Sequence, residues 1–198
     1  TLVVISLLLL LVSPAMASPG DTVFVEKFDT QEDFNKWTTI DLNGGRTWEW
    51  LNGHAAYMLD YQTGLPGDDY LVSPAINLQA GNVYDLRFRL TMSNNINYES
   101  CRVYMGTSPD TAHLKTVLAE WKDVTNEANG MKELTLIPKQ TGTYYIAFYS
   151  FSQANQNRFE IDDVSIVERS TTLVPGDVTQ LSATAAPHGA LQGTIRFQ

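Results

Sequence analysis

Apolar and polar residues alternate strictly in many short segments of this chain. In residues 83–90 (VYDLRFRL), Tyr84, Leu86, Phe88 and Leu90 share one parity. The same two-residue period recurs in residues 22–28, 47–51, 101–105, 132–137 and 143–151. Because successive side chains of a strand point to opposite faces of a sheet, this period predicts half-buried β-strands. Many short strands separated by glycine-containing turns predict a sandwich or a barrel.

Helical patterns are weak by comparison. Residues 31–37 and 110–118 are the two candidates, and in the second Asp110 could act as the N-cap. The sequence therefore predicts an all-β domain with little helix.

The N-terminal residues have the pattern of an export signal. The apolar run of residues 2–12 is shorter than the roughly 20 residues that cross a bilayer. It is followed by Pro14 and by the small-x-small pattern of residues 15–17. We interpret residues 1–17 as a signal peptide truncated at its N-terminus, with an uncleaved membrane anchor as the alternative. After cleavage we expect no membrane insertion, and a secreted or cell-surface location.

After the predicted signal peptide, a change in composition near residue 169 divides the chain into a domain and a C-terminal segment. Residues 18–168 are long enough for one domain with a well-buried core. Residues 169–177 (RSTTLVPGD) are predicted to be a linker. Residues 178–198 are similar to the first two strands of a fibronectin type III module, so we expect a longer, multidomain protein.

Charge and cysteine content limit the classes of function. The chain has 13 basic and 22 acidic residues, and its net charge of -9 argues against nucleic acid and anionic membrane surfaces. The single cysteine, Cys101, cannot form an internal disulfide. An exported domain of this kind needs a bound metal ion or a large core for stability.

Two adjacent aspartates interrupt the strand pattern of residues 157–167. Phe159 and Ile161 share one parity, whereas Val164 and Ile166 share the other, so a β-bulge is predicted at Asp162-Asp163. Such a bulge could direct both carboxylates outward, where Ca²⁺ would require six to eight oxygen ligands. Other carboxylate and amide candidates for the shell are Glu26, Asp29, Asp41, Asn43, Asp68 and Asp69. Solvated loop carboxylates are the alternative interpretation.

Four motifs in register resemble one known family. They are residues 37–50 (WTTIDLNGGRTWEW), 67–78 (GDDYLVSPAINL), 143–151 (TYYIAFYSF) and 159–166 (FEIDDVSI). Over residues 22–168 the chain resembles the cleaved-adhesin domains, also called choice-of-anchor J domains, which accompany secreted proteases of the Bacteroidetes. The resemblance implies a jelly-roll-like antiparallel β-sandwich, similar to carbohydrate-binding and MAM-type domains, with structural calcium.

The resemblance also implies a ligand set for that calcium. In this chain the family's acidic positions fall on Asp29, Asp41, Asn43, Asp69, Asp162 and Asp163. Gly45 and Arg46 stand where the family has a further aspartate. An ion held by these residues would connect the first and last strands of a domain that has no disulfide.

Catalytic patterns are missing from the sequence. The three histidines, His54, His113 and His188, form no H-x-x-x-H pair, and no G-x-S-x-G motif is present. Cys101 lies in a strand pattern, which favours a buried structural thiol. We therefore expect no enzymatic activity.

Two polar loops are the predicted binding regions. Residues 93–99 (SNNINYE) and 152–157 (SQANQN) are rich in amide side chains, and loops carry recognition on sandwich scaffolds. The predicted ligand-binding residues are Tyr98, Asn94, Asn95, Trp50 and Tyr61. We expect a calcium-stabilised adhesion module that binds an extracellular glycan or a host or matrix protein. A carbohydrate-binding accessory domain of a glycosidase or protease, and a structural spacer, remain alternatives.

Overall fold

The computed structural model describes residues 20–58, 64–169, 182–185 and 191–194. Twelve strands form two six-stranded sheets, A and B, in which all neighbouring strands are antiparallel. Sheet A contains β1 (Thr22–Glu26), β3 (Trp48–Leu51), β4 (His54–Met58), β7 (Tyr84–Met92), β10 (Gly130–Leu136) and β12 (Arg158–Glu168). Sheet B contains β2 (Thr38–Asp41), β5 (Asp69–Val72), β6 (Ile76–Leu78), β8 (Glu99–Gly106), β9 (Leu114–Val124) and β11 (Gly142–Ser150). The prediction of an all-β antiparallel sandwich is confirmed.

In each sheet, one long strand pairs along one of its edges with two shorter strands, one after the other. In sheet A the strand order is β10-β7-β12-β4-β3, and β1 also pairs with β12. In sheet B the order is β2-β5-β11-β8-β9, and β6 also pairs with β11. This arrangement places β9 and β2 at the edges of sheet B.

The core lies between the sheets and is rich in aromatic rings. Phe88 from β7 contacts Phe148 from β11 edge to face, with ring centroids 5.0 Å apart. Trp37 stacks on Phe148 at 6.1 Å, and Trp48 contacts Phe159 at 5.1 Å. Cys101 is fully buried in the same cluster, as predicted. Burial raises the pKa of its thiol, so the thiol stays protonated and unreactive.

The predicted bulge in β12 is confirmed. The pairing of β12 with β7 shifts register between Asp162 and Ser165, and Asp163 has a φ of 50°. On the other edge, β4 pairs with residues up to Ile161, and β1 takes over from Val164 onward. The bulge therefore marks the point where one short partner strand of β12 replaces the other.

One of the two helix predictions, residues 31–37, is correct for its first four residues. The helix α1 (Gln31–Phe34) starts with a capping box, in which the Thr30 hydroxyl and the Asp33 carboxylate bond each other's backbone N–H groups. Residues 110–118 do not form a helix, because Asp110 caps a single turn and the edge strand β9 begins at Leu114. The β-branched residues Thr116 and Val117 then favour the strand.

Several sequence predictions fall outside the described residues. The signal peptide at residues 1–17 lies outside them, as do residues 170–177 of the linker. In the predicted fibronectin segment, β13 (Ser182–Ala185) pairs with β14 (Leu191–Thr194), and the remaining residues are outside the described part. In the part of the chain that the structure describes, no helix is long and apolar enough to span a membrane.

Candidate functional site

Two loops and a short turn meet at one end of the sandwich. They are the loop between β7 and β8, the loop between β11 and β12, and a turn of 3-10 helix (Asn126–Ala128) between β9 and β10. Asn126 N–H donates to the carbonyl of Asn94 at 3.0 Å, which joins the first loop to the turn. Asn129 Oδ1 accepts the N–H of Met92 at 2.6 Å. The ends of these segments are thus fixed relative to one another.

Asn94 shapes the first loop from within. Its Oδ1 accepts the N–H groups of Ile96 at 3.0 Å and Asn97 at 2.8 Å, and its Nδ2 donates to the Asn97 side chain. Beyond this turn, Tyr98 N–H donates to Gln156 Oε1 of the β11–β12 loop at 2.7 Å. Tyr98 is therefore held at the backbone while 52% of the residue remains exposed.

Two buried polar residues at the start of β8 form hydrogen bonds that hold the neighbouring segments in place. Glu99 is buried, accepts the N–H of Asn157 at 2.7 Å, and has its pKa raised by burial. Ser100 is also buried, and its Oγ accepts the N–H of Asp123 at 3.0 Å. Asp123 has a φ of 51°, so this bond holds the end of β9 in a left-handed conformation. The backbone that carries the Asp123 side chain is therefore fixed by a buried residue of β8.

The β7–β8 loop, the end of β9 and the 3-10 turn line an open groove of about 500 Å³. Its described lining residues are Asn95, Tyr98, Asp123, Val124, Thr125, Glu127 and Ala128, and we call it the loop groove. The volume lies in the range of small-molecule sites in proteins. The lining combines a half-exposed phenol ring, small apolar side chains, and amide, hydroxyl and carboxylate groups. Such a set can pack against a sugar ring and accept or donate hydrogen bonds to its hydroxyls.

The five residues predicted to bind a ligand have different positions. Tyr98 and Asn95 line the loop groove, whereas Asn94 uses its side chain inside the loop. Trp50 is partly buried against the core, and its indole N–H donates to the Phe28 carbonyl at 2.7 Å. Tyr61 lies outside the described residues. The sequence did not single out Asp123, Thr125 or Glu127, which reach the groove from a segment about 30 positions away.

The outer face of sheet B carries a second aromatic cluster that the sequence analysis missed. It consists of Tyr70, Tyr104, Tyr149, Phe151 and Arg102, all partly exposed, and we call it the tyrosine face. The rings of Tyr70 and Tyr149 stack at 4.3 Å, and those of Tyr149 and Phe151 stack at 5.8 Å. The Arg102 guanidinium lies 4.8 Å from the Phe151 ring centroid. Because ring faces cover one another here, edges and hydroxyls are what the cluster presents to a partner.

The alternation of β11 explains the tyrosine face and could have revealed it. Tyr144, Ile146 and Phe148 point into the core, so Tyr145 and Tyr149 point outward. An outward face rich in tyrosine is unusual for a solvated surface. The Tyr149 hydroxyl donates to Asp68 Oδ1 at 2.9 Å, and burial is the main reason that the pKa of Tyr70 rises to about 12. These phenols remain neutral donors at physiological pH.

Three of the predicted calcium ligands lie together at one end of the β2–β5 pair. Asp41 and Asp69 are opposite one another in register. Asp41 Oδ1 accepts the N–H groups of Asn43 and Gly44, and Asn43 Nδ2 donates to the Pro66 carbonyl. Asp69 is fully buried, and no contact of its Oδ1 meets hydrogen-bond geometry in the described residues, although the Thr47 hydroxyl lies near enough to lower the pKa of Asp69. Burial, reinforced by the charge of Asp41, raises the pKa of Asp69 to about 6.

The remaining predicted ligands lie elsewhere in the fold. Asp162 Oδ2 is 3.3 Å from His54 Nδ1, and Asp163 pairs with Arg89 at 3.1 Å. Burial is also the main cause of the raised pKa of Asp162. Asp29 is exposed in the segment before α1. Asp41 and Asp69 thus belong to sheet B, whereas Asp162 and Asp163 belong to sheet A.

The structure does not gather the six predicted calcium ligands into one cluster. In the described ranges, no group of three or more histidine, cysteine, aspartate or glutamate side chains is placed to hold a metal ion. Asp41 and Asp69 lie opposite one another on β2 and β5, and one Asp69 oxygen makes no hydrogen bond in the described part of the chain. The shared clasp between the first and last strands stays a prediction.

Comparison with known proteins identifies the class of this fold. The K3 cleaved adhesin domain of Lys-gingipain from Porphyromonas gingivalis aligns with a TM-score of 0.59 and 23% identity, covering 75% of this chain and 98% of that domain. The K1 domain of the same protein aligns with a TM-score of 0.57 and 24% identity, covering 74% and 98%. At these identities the likeness establishes the fold. No curated protein sequence matches the chain.

Sequence-family comparison assigns the chain more narrowly. The model of the Cleaved Adhesin Domain matches residues 21–166, which span both sheets. This chain therefore belongs to the cleaved adhesin domain family, and the resemblance seen in the sequence is confirmed. Membership in an adhesin family supports a binding module over an enzyme.

Proposed function

We propose that this chain is a non-catalytic, secreted or cell-surface adhesion module that binds an extracellular glycan through the loop groove. The proposal rests on one groove of about 500 Å³. One loop contributes Tyr98 and Asn95 to it, and a distant segment contributes Asp123, Thr125 and Glu127. Family membership supports adhesion, and exported adhesins meet glycans at cell surfaces. The chain would act as one domain of a longer protein.

The groove has the features that sugar recognition requires. A sugar presents an apolar face of C–H groups and a rim of hydroxyls. The half-exposed Tyr98 ring can cover the first, while the carboxylates and the Asn95 amide can bond the second. Because the loop ends are fixed by hydrogen bonds to Asn126 and Gln156, little conformational entropy is lost on binding.

A glycan array tests the proposal directly. The full chain is applied to the array alongside Tyr98→Ala and the matched control Tyr104→Ala, which removes a tyrosine from the tyrosine face. We expect wild type and Tyr104→Ala to bind the same glycans, and Tyr98→Ala to lose about tenfold in affinity, as one aromatic contact is worth up to about 1.5 kcal/mol. Equal binding by Tyr98→Ala would show that the groove is not the site.

A second candidate function is adhesion to an extracellular host or matrix protein through the tyrosine face. Tyrosine and arginine are enriched in the energetic centres of protein interfaces, and this face offers Tyr70, Tyr104, Tyr149 and Arg102 together. Binding to a panel of matrix proteins that Tyr104→Ala weakens, with no glycan bound, would favour this function. A module that binds neither glycan nor protein would be a structural spacer.

Calcium stabilisation is a further part of the proposal. Asp41 and Asp69 are the residues that would hold the ion, since the buried Asp69 Oδ1 lacks a partner that a cation would supply. A ligand that binds only the native state raises its stability by mass action. We expect millimolar Ca²⁺ to raise the melting temperature and Asp69→Asn to reduce that rise. A melting curve of wild type that is unchanged between Ca²⁺ and EDTA would contradict the proposal.

A further inference from the structure

The loop groove is anionic, and its charge is not locally balanced. Of its seven described lining residues, Asp123 and Glu127 are acidic and none is basic. Lys122 precedes Asp123 in the chain but does not line the groove. Glu120 on β9 differs, because it forms an ion pair with Arg102 of the tyrosine face.

The backbone is anchored near both acidic residues, and the Asp123 carboxylate is held as well. Asp123 is held by Ser100, whose Oγ donates to Asp123 Oδ1 at 3.3 Å and accepts the Asp123 N–H. Glu127 is exposed in the 3-10 turn whose first residue, Asn126, bonds the Asn94 carbonyl. A ligand that lies on the Tyr98 ring in this groove therefore lies beside two negative charges. The tyrosine ring face is itself electron-rich and attracts cations.

The chain as a whole reinforces this local field. Its net charge of -9 gives long-range repulsion toward anionic ligands and attraction toward cationic ones. A carboxylated or sulfated sugar would place like charges together in a partly desolvated groove. An ammonium group at the same position would form charge-assisted hydrogen bonds with the carboxylates.

We infer that the loop groove selects saccharides by charge: it takes amino sugars with a free ammonium group in preference to neutral sugars, and it rejects carboxylated and sulfated ones. This inference rests on the proposed glycan binding and names the ligand class of that site. Val124 and Ala128 supply apolar contacts for the sugar ring, and Asp123 and Glu127 supply the counter-charge.

Three hexasaccharides with one backbone test the selectivity. They are the β-1,4-linked hexamer of glucosamine, the corresponding glucose hexamer, and its sulfated derivative, each titrated into the full chain at about pH 6, where amines are charged and carboxylates are ionised. Because the sugar ammonium groups would form exposed ion pairs with the groove carboxylates, we expect the glucosamine hexamer to bind about threefold to tenfold more tightly than the glucose hexamer. The sulfated hexamer should show no measurable binding. Added salt should reduce the difference.

Charge-neutral variants locate the effect. Glu127→Gln should bring the ratio of glucosamine-hexamer affinity to glucose-hexamer affinity close to one. The control Glu133→Gln, which changes an exposed acid that pairs with Arg87 outside the groove, should keep the wild-type ratio. Equal affinity for all three hexamers would overturn the inference and leave glycan binding intact. Absence of binding to all three hexamers and to every glycan on the array would overturn the proposed function itself. A lysine-containing pentapeptide that binds as tightly as glucosamine hexamer would show that the groove reads charge alone, which also overturns the inference.

Discussion

The buried carboxyl of Asp69 gives the sharpest prediction about stability. Asp69 is fully buried in β5, its Oδ2 accepts the N–H of Asp68 at 3.0 Å, and its Oδ1 has no described hydrogen-bond partner. Burial is the main cause of its raised pKa; hydrogen bonding to the Asp68 N–H and to Thr47 lowers the pKa, and the nearby charges of Asp41 and Asp68 raise it further. Asn has the same shape, keeps an oxygen for the Asp68 N–H, and carries no charge. We therefore predict that Asp69→Asn stabilises the metal-free protein at neutral pH.

The size and sign of this effect follow from the two proton affinities. In the native state the pKa of Asp69 is about 6, against an ordinary value of 3.8 that serves for the unfolded chain. Each tenfold difference in proton affinity corresponds to about 1.36 kcal/mol, so the ionised side chain costs the native state about 3 kcal/mol. Because the native state binds the proton more tightly, this cost is absent below about pH 4 and grows as the pH rises toward about 6. Above that pH the full penalty is present.

Urea unfolding in EDTA across the range from about pH 4 to pH 8 measures this penalty. The free energy of unfolding of Asp69→Asn should exceed that of wild type by about 3 kcal/mol at neutral pH, and the two should converge near pH 4. Asp29→Asn, which changes an exposed aspartate, is the matched control and should follow wild type throughout. A constant difference between Asp69→Asn and wild type at every pH would refute the reasoning, because it would mean that ionisation of Asp69 is not the cause.

Two further predictions concern packing. Phe148→Ala removes a fully buried ring that contacts Trp37 and Phe88 in the inter-sheet core, and it should lower the free energy of unfolding by about 3–5 kcal/mol in a denaturant titration; a loss below 1 kcal/mol would contradict the packing. Gly106→Ala should destabilise by about 1–3 kcal/mol, because the added Cβ would approach the His113 carbonyl at the β8–β9 pair, whereas Gly142→Ala, which meets no atom within 4 Å, should be neutral or slightly stabilising. Equal melting temperatures for the two glycine variants would rule out the crowding at Gly106.

Local sequence patterns were sufficient for most of the long strands and for the bulge, but not for β9. A two-residue period states which side chains share a face, and the parity change at Asp162-Asp163 located the register shift in β12. The same rule could have exposed the tyrosine face, had both parities of residues 143–151 been followed. Residues 110–118 were wrongly predicted to be helical because Asp110 is a typical N-cap residue. Asp110 does cap one turn, but the residues after that turn pair with β8 and form a strand.

The binding groove depends on contacts that no local pattern contains. The amide-rich composition of residues 93–99 indicated a recognition loop, and the structure brings Asn95 and Tyr98 into the groove. Its opposite wall, from Asp123 to Ala128, is placed by the buried Ser100 and by the Asn126–Asn94 bond. Likewise, clustered aspartates in the sequence did not predict which of them would meet. Asp41 and Asp69 lie opposite one another on neighbouring strands, whereas Asp163 forms an ion pair with Arg89.

Mapping the binding surface by nuclear magnetic resonance tests the central claim most directly. The full chain, labelled with ¹⁵N, is titrated with the glucosamine hexamer, and the backbone amides that shift are assigned. We predict saturable shifts confined to the segments that form the loop groove, residues 94–98 and 123–128, with Tyr98 among the largest. Shifts centred on Tyr104 and Tyr149 of the tyrosine face, or no saturable shifts with any glycan, would contradict the account.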